Sequence, residues 1–259
     1  MQHSMGYTLL FAAGVCLVCS IFVSGSAVGL KDRQEFNALL DRQKKVLSVA
    51  GLMTSDEDWP PEKVTQVFAD KIVPKVVELK TGSYGADIDP LKYDQQKAML
   101  DETLSEVAPD NKAKVRRLPK YGLVYQLVES GEMKKLILPV EGKGLWSTLY
   151  GYVALSADTQ TIDGLTFYKH GETPGLGGEV DNPKWKALWQ GRKPFDSNFK
   201  PVIEVIKGQA GSVSAAPSKI DGLSGATITS NGVTHLMQFW LGEHGFNKYL
   251  ARVRQGGAS

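Results

Sequence analysis

An uncharged, apolar stretch near the N-terminus is the feature that most limits how this chain folds. No Asp, Glu, Lys or Arg occurs from Ser4 to Leu30, and most residues from Tyr7 to Val28 are Leu, Phe, Val, Ile, Ala or Cys. A helix of about 20 apolar residues, rising about 1.5 Å per residue, crosses the hydrocarbon core of a bilayer. The sequence therefore predicts a transmembrane anchor over residues 1–30.

A cleaved signal peptide is the alternative for this stretch. Gly25-Ser26-Ala27 offers small residues at a cleavage point, but the basic region that a signal peptide carries before its apolar segment is missing. A retained span is therefore favoured. The positive-inside rule then places the rest of the chain in the cytoplasm, because basic residues follow the span and none precedes it. These residues are Lys31, Arg33, Arg42, Lys44 and Lys45.

The charges of the whole chain are balanced, with 30 Lys and Arg against 28 Asp and Glu, and 42% of the residues are hydrophobic. This composition is typical of a folded protein and gives no sign of nucleic-acid binding or disorder. Both cysteines, Cys16 and Cys19, lie in the apolar stretch with C-x-x-C spacing. Within lipid we interpret them as small apolar residues on one helix face rather than as a redox or metal pair.

Residues 31–120 are predicted to form a helical connector. The segment DRQEFNALLDRQKKVLSVAGL sets apolar residues among charges at near-helical spacing, which predicts an amphipathic helix. A second, short helix is expected after Pro60 and Pro61, because proline suits the first turn of a helix. The apolar positions of the first helix are Phe36, Leu39, Leu40, Leu47 and Val49.

Residues 121–259 show short β-type runs separated by turn segments. The turn segments ESGEM, EGKG and ADTQ indicate hairpins and therefore a mainly antiparallel sheet. Two further segments, NPKWKALWQGR and TSNGVTHLMQFWLGEHGFNKYLARV, are helical by spacing. The predicted fold class is α+β, with helices packed on the sheet. The predicted strands are YGLVYQLV, KKLILPV, WSTLYGYVALSA, IDGLTFYK and KPVIEVIKG.

Most common catalytic motifs are absent from the sequence. GKGLWS, at residues 142–147, has only the first two glycines of G-x-G-x-x-G and precedes a strand, which disfavours a dinucleotide-binding turn. The four histidines lack zinc-ligand spacing. Residues 222–226 approximate the G-x-S-x-G elbow of hydrolases, but the residues before Ser224 are poor strand formers and His235 lies in the helix that would follow. Hydrolysis is therefore disfavoured.

Two glycine-rich stretches remain: KHGETPGLGGEVDNPKW from Lys169 and DGLSGATITSNG from Asp221. Each has an ordinary interpretation. The first is a polar loop shaped by Pro174 and its glycines, and the second is a helix N-terminus capped by Ser or Thr. Their occurrence together, in this order, favours a more specific interpretation.

Ser224-Gly225-Ala226-Thr227, followed by Ile228 and Thr229, resembles the flavinylation motif of the FMN-binding domain family. In that family FMN is joined through its phosphate to a threonine hydroxyl. HGETPGLGG resembles the second hallmark of the family, a loop against the flavin. With one N-terminal span, a helical connector and a flavin domain at residues 121–259, the whole chain resembles the family of the C subunits of bacterial Na⁺-translocating NADH:quinone oxidoreductases.

The resemblance implies a set of FMN-binding residues. Thr227 supplies the ester oxygen, and a phosphate there meets free backbone N–H groups and the positive end of a helix dipole. Gly225 and Ala226 leave the backbone open to close approach. Ser224 and Thr229 are the candidate partners of the phosphate. The residues expected near the isoalloxazine are Glu172, Thr173, Leu176, Gly177 and Trp146.

The resemblance also implies an electron-relay subunit of a membrane complex, not catalytically complete alone. In the family, other subunits oxidise NADH and carry sodium, and electrons pass through the covalent FMN toward ubiquinone. A flavin transferase installs the FMN on the periplasmic side of the bacterial inner membrane. This location opposes the positive-inside rule. We follow the family, because one weakly flanked span is poor support for an orientation.

Two alternatives remain open. The sister flavin subunit of the ion-pumping ferredoxin:NAD⁺ oxidoreductase shares S-G-A-T and a related H-x-E-T-P-G-L-G loop. The long segment before Tyr121 and the stretch EVDNPKWKALWQGR look more like the quinone reductase subunit. The other alternative is a membrane-anchored binding module without cofactor, in which SGAT is only a helix cap. That alternative predicts a colourless protein.

Overall fold

The computed structural model describes residues 4–54, 57–85 and 87–256. The chain divides into two compact units, Met1–Arg42 and Gln43–Ser259. The division falls inside the first helix, so each unit is described by itself.

Helix α1, Met5–Ala50, is continuous over 46 residues and joins the predicted span to the predicted amphipathic helix. Among the described helices it is the one long and apolar enough to cross a membrane, by length and composition. Most of its apolar side chains in the first unit are exposed, including Phe36 and Leu39, whereas Leu40 is half-buried. Only the last turns are buried, at Val46, Leu47, Val49 and Ala50. Of the apolar positions of the predicted amphipathic helix, Leu47 and Val49 are therefore buried in the second unit, whereas Phe36 and Leu39 are exposed.

The predicted connector is helical only in part. Helix α2, Pro61–Lys71, begins with proline at its first position, as predicted. Strand β1, Ile72–Glu78, follows it directly. Helix α3, Gln95–Leu100, begins after Asp94, whose side chain accepts hydrogen bonds from two backbone N–H groups of the first turn. Besides its helices, the predicted helical connector therefore contains β1 and a small two-stranded sheet, β2, Ser105–Val107, and β3, Arg117–Pro119.

A five-stranded antiparallel sheet forms the centre of the second unit, in the order β1-β4-β5-β6-β7. The four later strands coincide with predicted runs, and consecutive strands pair as hairpins. The EGKG segment lies mostly within β5 rather than in a turn. The ranges are β4, Tyr121–Glu129; β5, Glu132–Lys143; β6, Thr148–Ser156; and β7, Ile162–Lys169.

The predicted helices are present but shorter or divided. A 3₁₀ helix, Gly177–Asp181, precedes α4, Pro183–Ala187. The long C-terminal segment forms two helices, α5, Thr227–Trp240, and α6, Asn247–Arg254. The predicted strand KPVIEVIKG contributes only β8, Glu204–Val205, which pairs in parallel with β9, Lys219–Ile220.

Close packing of α5 on β5 places the N-terminus of α5 beside the end of that strand. A Cβ on Gly142 would lie 2.6 Å from Leu236 Cβ, and a Cβ on Gly232 would lie 2.4 Å from the Lys143 carbonyl oxygen. Both contacts are shorter than a Cβ atom tolerates, so these two glycines let the helix approach the strand. The helix buries Val233, Leu236, Met237 and Trp240 in the core.

Candidate functional site

The N-terminus of α5 has no side-chain cap, and the first two residues of the helix, Thr227 and Ile228, are exposed. Ala226, at the N-cap, is 5% exposed, whereas Ser224, Gly225 and Thr227 are exposed. The hydroxyl of Thr227 makes no hydrogen bond to any described residue. The expected ordinary role of this motif, a Ser or Thr cap on the helix, is therefore not what the structure contains. Uncapped N–H groups at a helix N-terminus attract anions.

The two glycine-rich stretches meet at Gly225. This residue has φ +69°, in the left-handed region that glycine adopts without strain. A Cβ at this position would lie 2.9 Å from Leu176 Cδ2. Leu176 therefore rests on the backbone of the Ser-Gly-Ala-Thr turn.

Glu172 is the second connection between the stretches. It is 6% exposed, and both of its carboxylate oxygens accept hydrogen bonds. Thr229 Oγ1, in the first turn of α5, donates to Oε2 at 2.7 Å. Three backbone N–H groups of the loop at residues 144–147 also donate: Leu145 to Oε2 at 3.2 Å, and Trp146 and Ser147 to Oε1 at 3.0 and 3.1 Å.

These hydrogen bonds keep the Glu172 carboxylate ionised. Burial by itself raises the pKa of a carboxyl group. In Glu172 the hydrogen bond from Thr229 and those from the backbone of residues 145–147 outweigh burial and lower the pKa below its usual value of 4.5. A charged carboxylate thus lies under the surface between the loop and the helix.

Two glycines leave room for that carboxylate. A Cβ on Gly144 would lie 2.6 Å from Glu172 Oε1. A Cβ on Gly177 would lie 2.6 Å from both Glu172 Oε2 and Thr229 Oγ1. Gly177, predicted to lie near the isoalloxazine, is buried beside this pair of side chains.

The 144–147 loop is fixed by several further bonds. The Gly144 N–H donates to the Ser147 carbonyl at 2.8 Å, and the Gly171 N–H donates to Ser147 Oγ at 2.6 Å. Lys143 Nζ donates to the Trp146 carbonyl at 3.0 Å. The loop projects Leu145 and Trp146 outward, with 41% and 67% of their surfaces exposed.

Exposed apolar side chains therefore surround the motif. Leu176 and Ile228 are 44% and 57% exposed, in addition to Leu145 and Trp146. Thr173 is exposed beside them, and its carbonyl accepts from the N–H groups of Leu176 and Gly178, which shapes the loop. His170 Nε2 lies 2.7 Å from Asp181 Oδ2 and orders the same loop.

The set of residues fits FMN in its chemistry. The uncapped helix N-terminus suits a phosphate, and the exposed apolar side chains suit an aromatic ring system. The structure brings Glu172, Leu176 and Gly177 together with Gly225 and Thr229. Sequence reasoning missed Leu145, Ser147 and Ile228. The two glycines of GKGLWS, which flank Lys143, were the available signal for that loop.

The second unit also contains a cavity. Its volume is about 1110 Å³, and its lining includes Glu141, Tyr150 and Lys169. Gly142 and Lys143, which precede the 144–147 loop, also line it, but Thr227, Glu172 and Leu176 do not. The residues that connect the two glycine-rich stretches therefore lie outside this cavity. Among the described residues no group of His, Cys, Asp and Glu is arranged to hold a metal ion.

Three comparisons connect this geometry to known proteins. The family model of the FMN-binding domain matches residues 144–242, a range that begins at the 144–147 loop and contains both glycine-rich motifs. The C subunit of the Na⁺-translocating NADH-quinone reductase of Pseudomonas aeruginosa is 48% identical, over 99% of each chain. The C subunit of the same reductase in Vibrio anguillarum is 46% identical, over 99% of this chain and 98% of that one.

Solved structures give the same result for the fold. The crystal structure of Shewanella oneidensis NqrC superposes with a TM-score of 0.77 and 31% identity, and covers 86% of this chain and 99% of that one. The crystal structure of the C subunit of the Na⁺-translocating NADH-quinone reductase from Parabacteroides distasonis superposes with a TM-score of 0.65 and 27% identity, over 85% of this chain and 96% of that one.

Proposed function

The chain belongs to the family of the C subunits of Na⁺-translocating NADH-quinone reductases, and from this premise we propose that it relays electrons through an FMN esterified to Thr227. The observation that carries the attachment site is the exposed Thr227 hydroxyl, which has no partner among the described residues and stands at an uncapped helix N-terminus. Thr229, the nearby alternative, is buried and bonded to Glu172.

The proposed roles of the other residues follow from their positions. Backbone N–H groups of the first turn of α5 bind the phosphate, with Ser224 as a further donor, and Gly225 and Ala226 let the backbone approach it. Leu145, Trp146, Leu176 and Thr173 border the ring. When bound, FMN accepts electrons from one partner and passes them to another. The protein holds the ring at a fixed place and sets its polarity and charge environment.

We also propose the surroundings of the chain in its complex. Other subunits oxidise NADH and carry sodium. Helix α1, the one described helix able to span a membrane, anchors this subunit in the bacterial inner membrane. The flavin domain lies in the periplasm, and a flavin transferase is the maturation partner. The full-length similarity to the C subunits of quinone reductases supports this role over that of the sister subunit of the ferredoxin:NAD⁺ oxidoreductase.

The attachment is tested by expressing the full chain with a flavin transferase and recording in-gel flavin fluorescence after denaturation. The wild type is expected to fluoresce, and Thr227→Val to lose the signal completely. Thr173→Val is the matched control, since it removes an exposed threonine hydroxyl from the other motif, and it is expected to keep the signal.

Two results would contradict the proposal. Fluorescence of the Thr227→Val chain would show that another hydroxyl carries the FMN. A non-fluorescent wild type in the presence of an active transferase would support the binding module without cofactor.

A further inference from the structure

Three separate parts of the chain meet at one carboxylate. Glu172 follows β7, the 144–147 loop joins β5 to β6, and Thr229 lies in the first turn of α5. The loop carries Leu145 and Trp146, and the helix turn carries Thr227. Glu172 bonds to the loop through three backbone N–H groups and to the helix through Thr229 Oγ1.

We propose that Glu172 is a positioning residue for the flavin, a role that rests on the proposed attachment at Thr227. Its carboxylate bonds the 144–147 loop to the first turn of α5. The loop residues that border the ring and the helix N-terminus that binds the phosphate therefore keep a fixed relative position. It also gives the site a fixed negative charge that makes reduction of the flavin less favourable.

Only a carboxylate satisfies this arrangement. Four donors point at two oxygens, and an ionised carboxylate accepts without donating. A glutamine amide replaces one oxygen with an NH₂ group, which at either position would face at least one backbone N–H group that can only donate. The space is also tight, because Gly144 and Gly177 have no room for a Cβ beside the carboxylate. The site is therefore built around this side chain.

The electrostatic consequence follows from burial. A charge that is 6% exposed is weakly screened by water. Reduction adds negative charge to a flavin, so a fixed carboxylate nearby opposes it. The four hydrogen bonds that Glu172 accepts weaken this repulsion, but they do not remove the unit charge. Because the pKa of Glu172 is lowered, the carboxylate stays charged at neutral pH.

The experiment compares full chains that carry covalent FMN, with two readouts, of which the first is not moved in a defined direction by simple destabilisation. The first is the midpoint potential of the attached flavin, and the second is its visible circular dichroism, which reports how firmly the ring is oriented. The variants are Glu172→Gln, which removes the charge, and Thr229→Val, which removes one donor but keeps the charge. Thr229→Ser keeps the hydroxyl and serves as the conservative rescue.

The matched control is Glu179→Gln. Glu179 lies in the neighbouring 3₁₀ helix and accepts a hydrogen bond from Asn182 Nδ2 at 2.7 Å. It takes no part in the hydrogen bonds that Glu172 accepts. The substitution removes a carboxylate of the same loop, so it separates a general charge effect from the effect of Glu172.

In Glu172→Gln the reduced-to-oxidised ratio at a fixed applied potential is expected to rise about tenfold, equivalent to about 30 mV for a two-electron couple, and the circular dichroism to weaken. Thr229→Val is expected to weaken the circular dichroism and to shift the midpoint potential much less than Glu172→Gln does, because the carboxylate charge is kept. Thr229→Ser and Glu179→Gln are expected to match the wild type.

The proposal is overturned if labelled Glu172→Gln has the wild-type potential and circular dichroism. Should that variant fail to fold, a wild-type dichroism spectrum in Thr229→Val overturns the positioning role by itself. A wild type without FMN would contradict the proposed function instead, and this outcome is read from the fluorescence of the unmutated chain.

Discussion

Two threonines in one helical turn have different chemical environments because successive helix residues point about 100° apart. Thr227 faces solvent, whereas Thr229 is fully buried and donates to Glu172. The hydroxyl of Thr227 is therefore accessible to a modifying enzyme and that of Thr229 is part of the internal structure. The sequence motif alone could not make this distinction, since it contains neither the burial nor the partner of either side chain.

Gly177 is a residue whose substitution should damage the site directly. In Gly177→Ala the new Cβ would lie 2.6 Å from Glu172 Oε2 and Thr229 Oγ1, so the buried pair must separate. We expect a loss of about 1–3 kcal/mol in the free energy of unfolding, typical of overpacking, measured by urea denaturation.

Gly171→Ala is the matched control for this substitution. Its Cβ would meet Ser147 Cβ at 3.4 Å, an ordinary contact, and a change within about 0.5 kcal/mol is expected. Equal stability of the two variants would show that Glu172 and Thr229 can move apart to admit the extra methyl group at little cost.

Glu141 gives the second unit a dependence of stability on pH. Burial raises its pKa to about 7, from 4.5 for an unperturbed carboxyl group. Tyr150 stands directly opposite on β6, and Lys169 Nζ lies 5.5 Å from the centre of the Tyr150 ring. The contribution of this raised pKa to stability is fully present below about pH 4.5 and is lost as the pH rises through about 7.

Glu141→Gln should therefore stabilise the protein above neutral pH, by about 1–3 kcal/mol. The gain should disappear as the pH falls toward the unperturbed carboxyl value, because the wild-type side chain is then neutral as well. Thermal or urea unfolding across this pH range measures the difference, and Glu106→Gln, at an exposed position of β2, is the control. A gain that does not vary with pH would exclude titration of Glu141 as its cause.

At the scale of elements, local patterns predicted the strands that form hairpins and failed for strands whose partners are distant in sequence. The strands β4 to β7 alternate with turns and pair with their neighbours, so each run carries its own signal. β1, by contrast, pairs with β4 across an intervening helix and small sheet. Its sequence, IVPKVVE, is rich in β-branched residues, but it contains proline and follows α2 without a turn, so the strand signal was masked.

Arg192 holds the loop that precedes the Ser-Gly-Ala-Thr motif. This side chain is 2% exposed and donates to the carbonyl oxygens of Leu188, Gly211, Ser212 and Ala216 at 2.6–3.3 Å. It therefore ties the end of the α4 region to the segment that leads into β9. A buried Arg with carbonyl partners has no sequence signature, and the sequence did not predict this contact.

Arg192→Met keeps the length of the side chain and removes every donor. We expect a loss of about 2–4 kcal/mol, because buried carbonyl groups lose their partner. Arg252→Met, at an exposed position of α6 with a single side-chain bond to Ser83 Oγ, should change stability by no more than about 0.5 kcal/mol. If both variants unfold at the same urea concentration, Arg192 does not organise the loop.

At the scale of the whole molecule, the sequence predicted the fold class and the two motifs, and the comparisons establish the family. Local patterns could not predict how the 144–147 loop, Glu172 and α5 converge, since that contact depends on the packing of strands far apart in the chain. The orientation in the membrane is a separate prediction, because the positive-inside rule and the family disagree about it.

Protease treatment of intact spheroplasts tests that orientation. The periplasmic assignment predicts that residues after α1 are digested without lysis, whereas a cytoplasmic domain would be protected until the cells are opened. A cytoplasmic marker protein that stays intact controls for leakage.

Peptide mapping of the flavin-loaded full chain by tandem mass spectrometry identifies the hydroxyl that carries the flavin and so tests the proposed ester at Thr227. Trypsin cleavage after Lys219 and Lys248 releases one peptide that contains both Thr227 and Thr229. If Thr227 carries the flavin, this peptide has the added mass of FMN less one water, with fragment ions that place it on Thr227. An unmodified peptide from fluorescent protein, or fragment ions that place the added mass on Thr229 or Ser224, would contradict it.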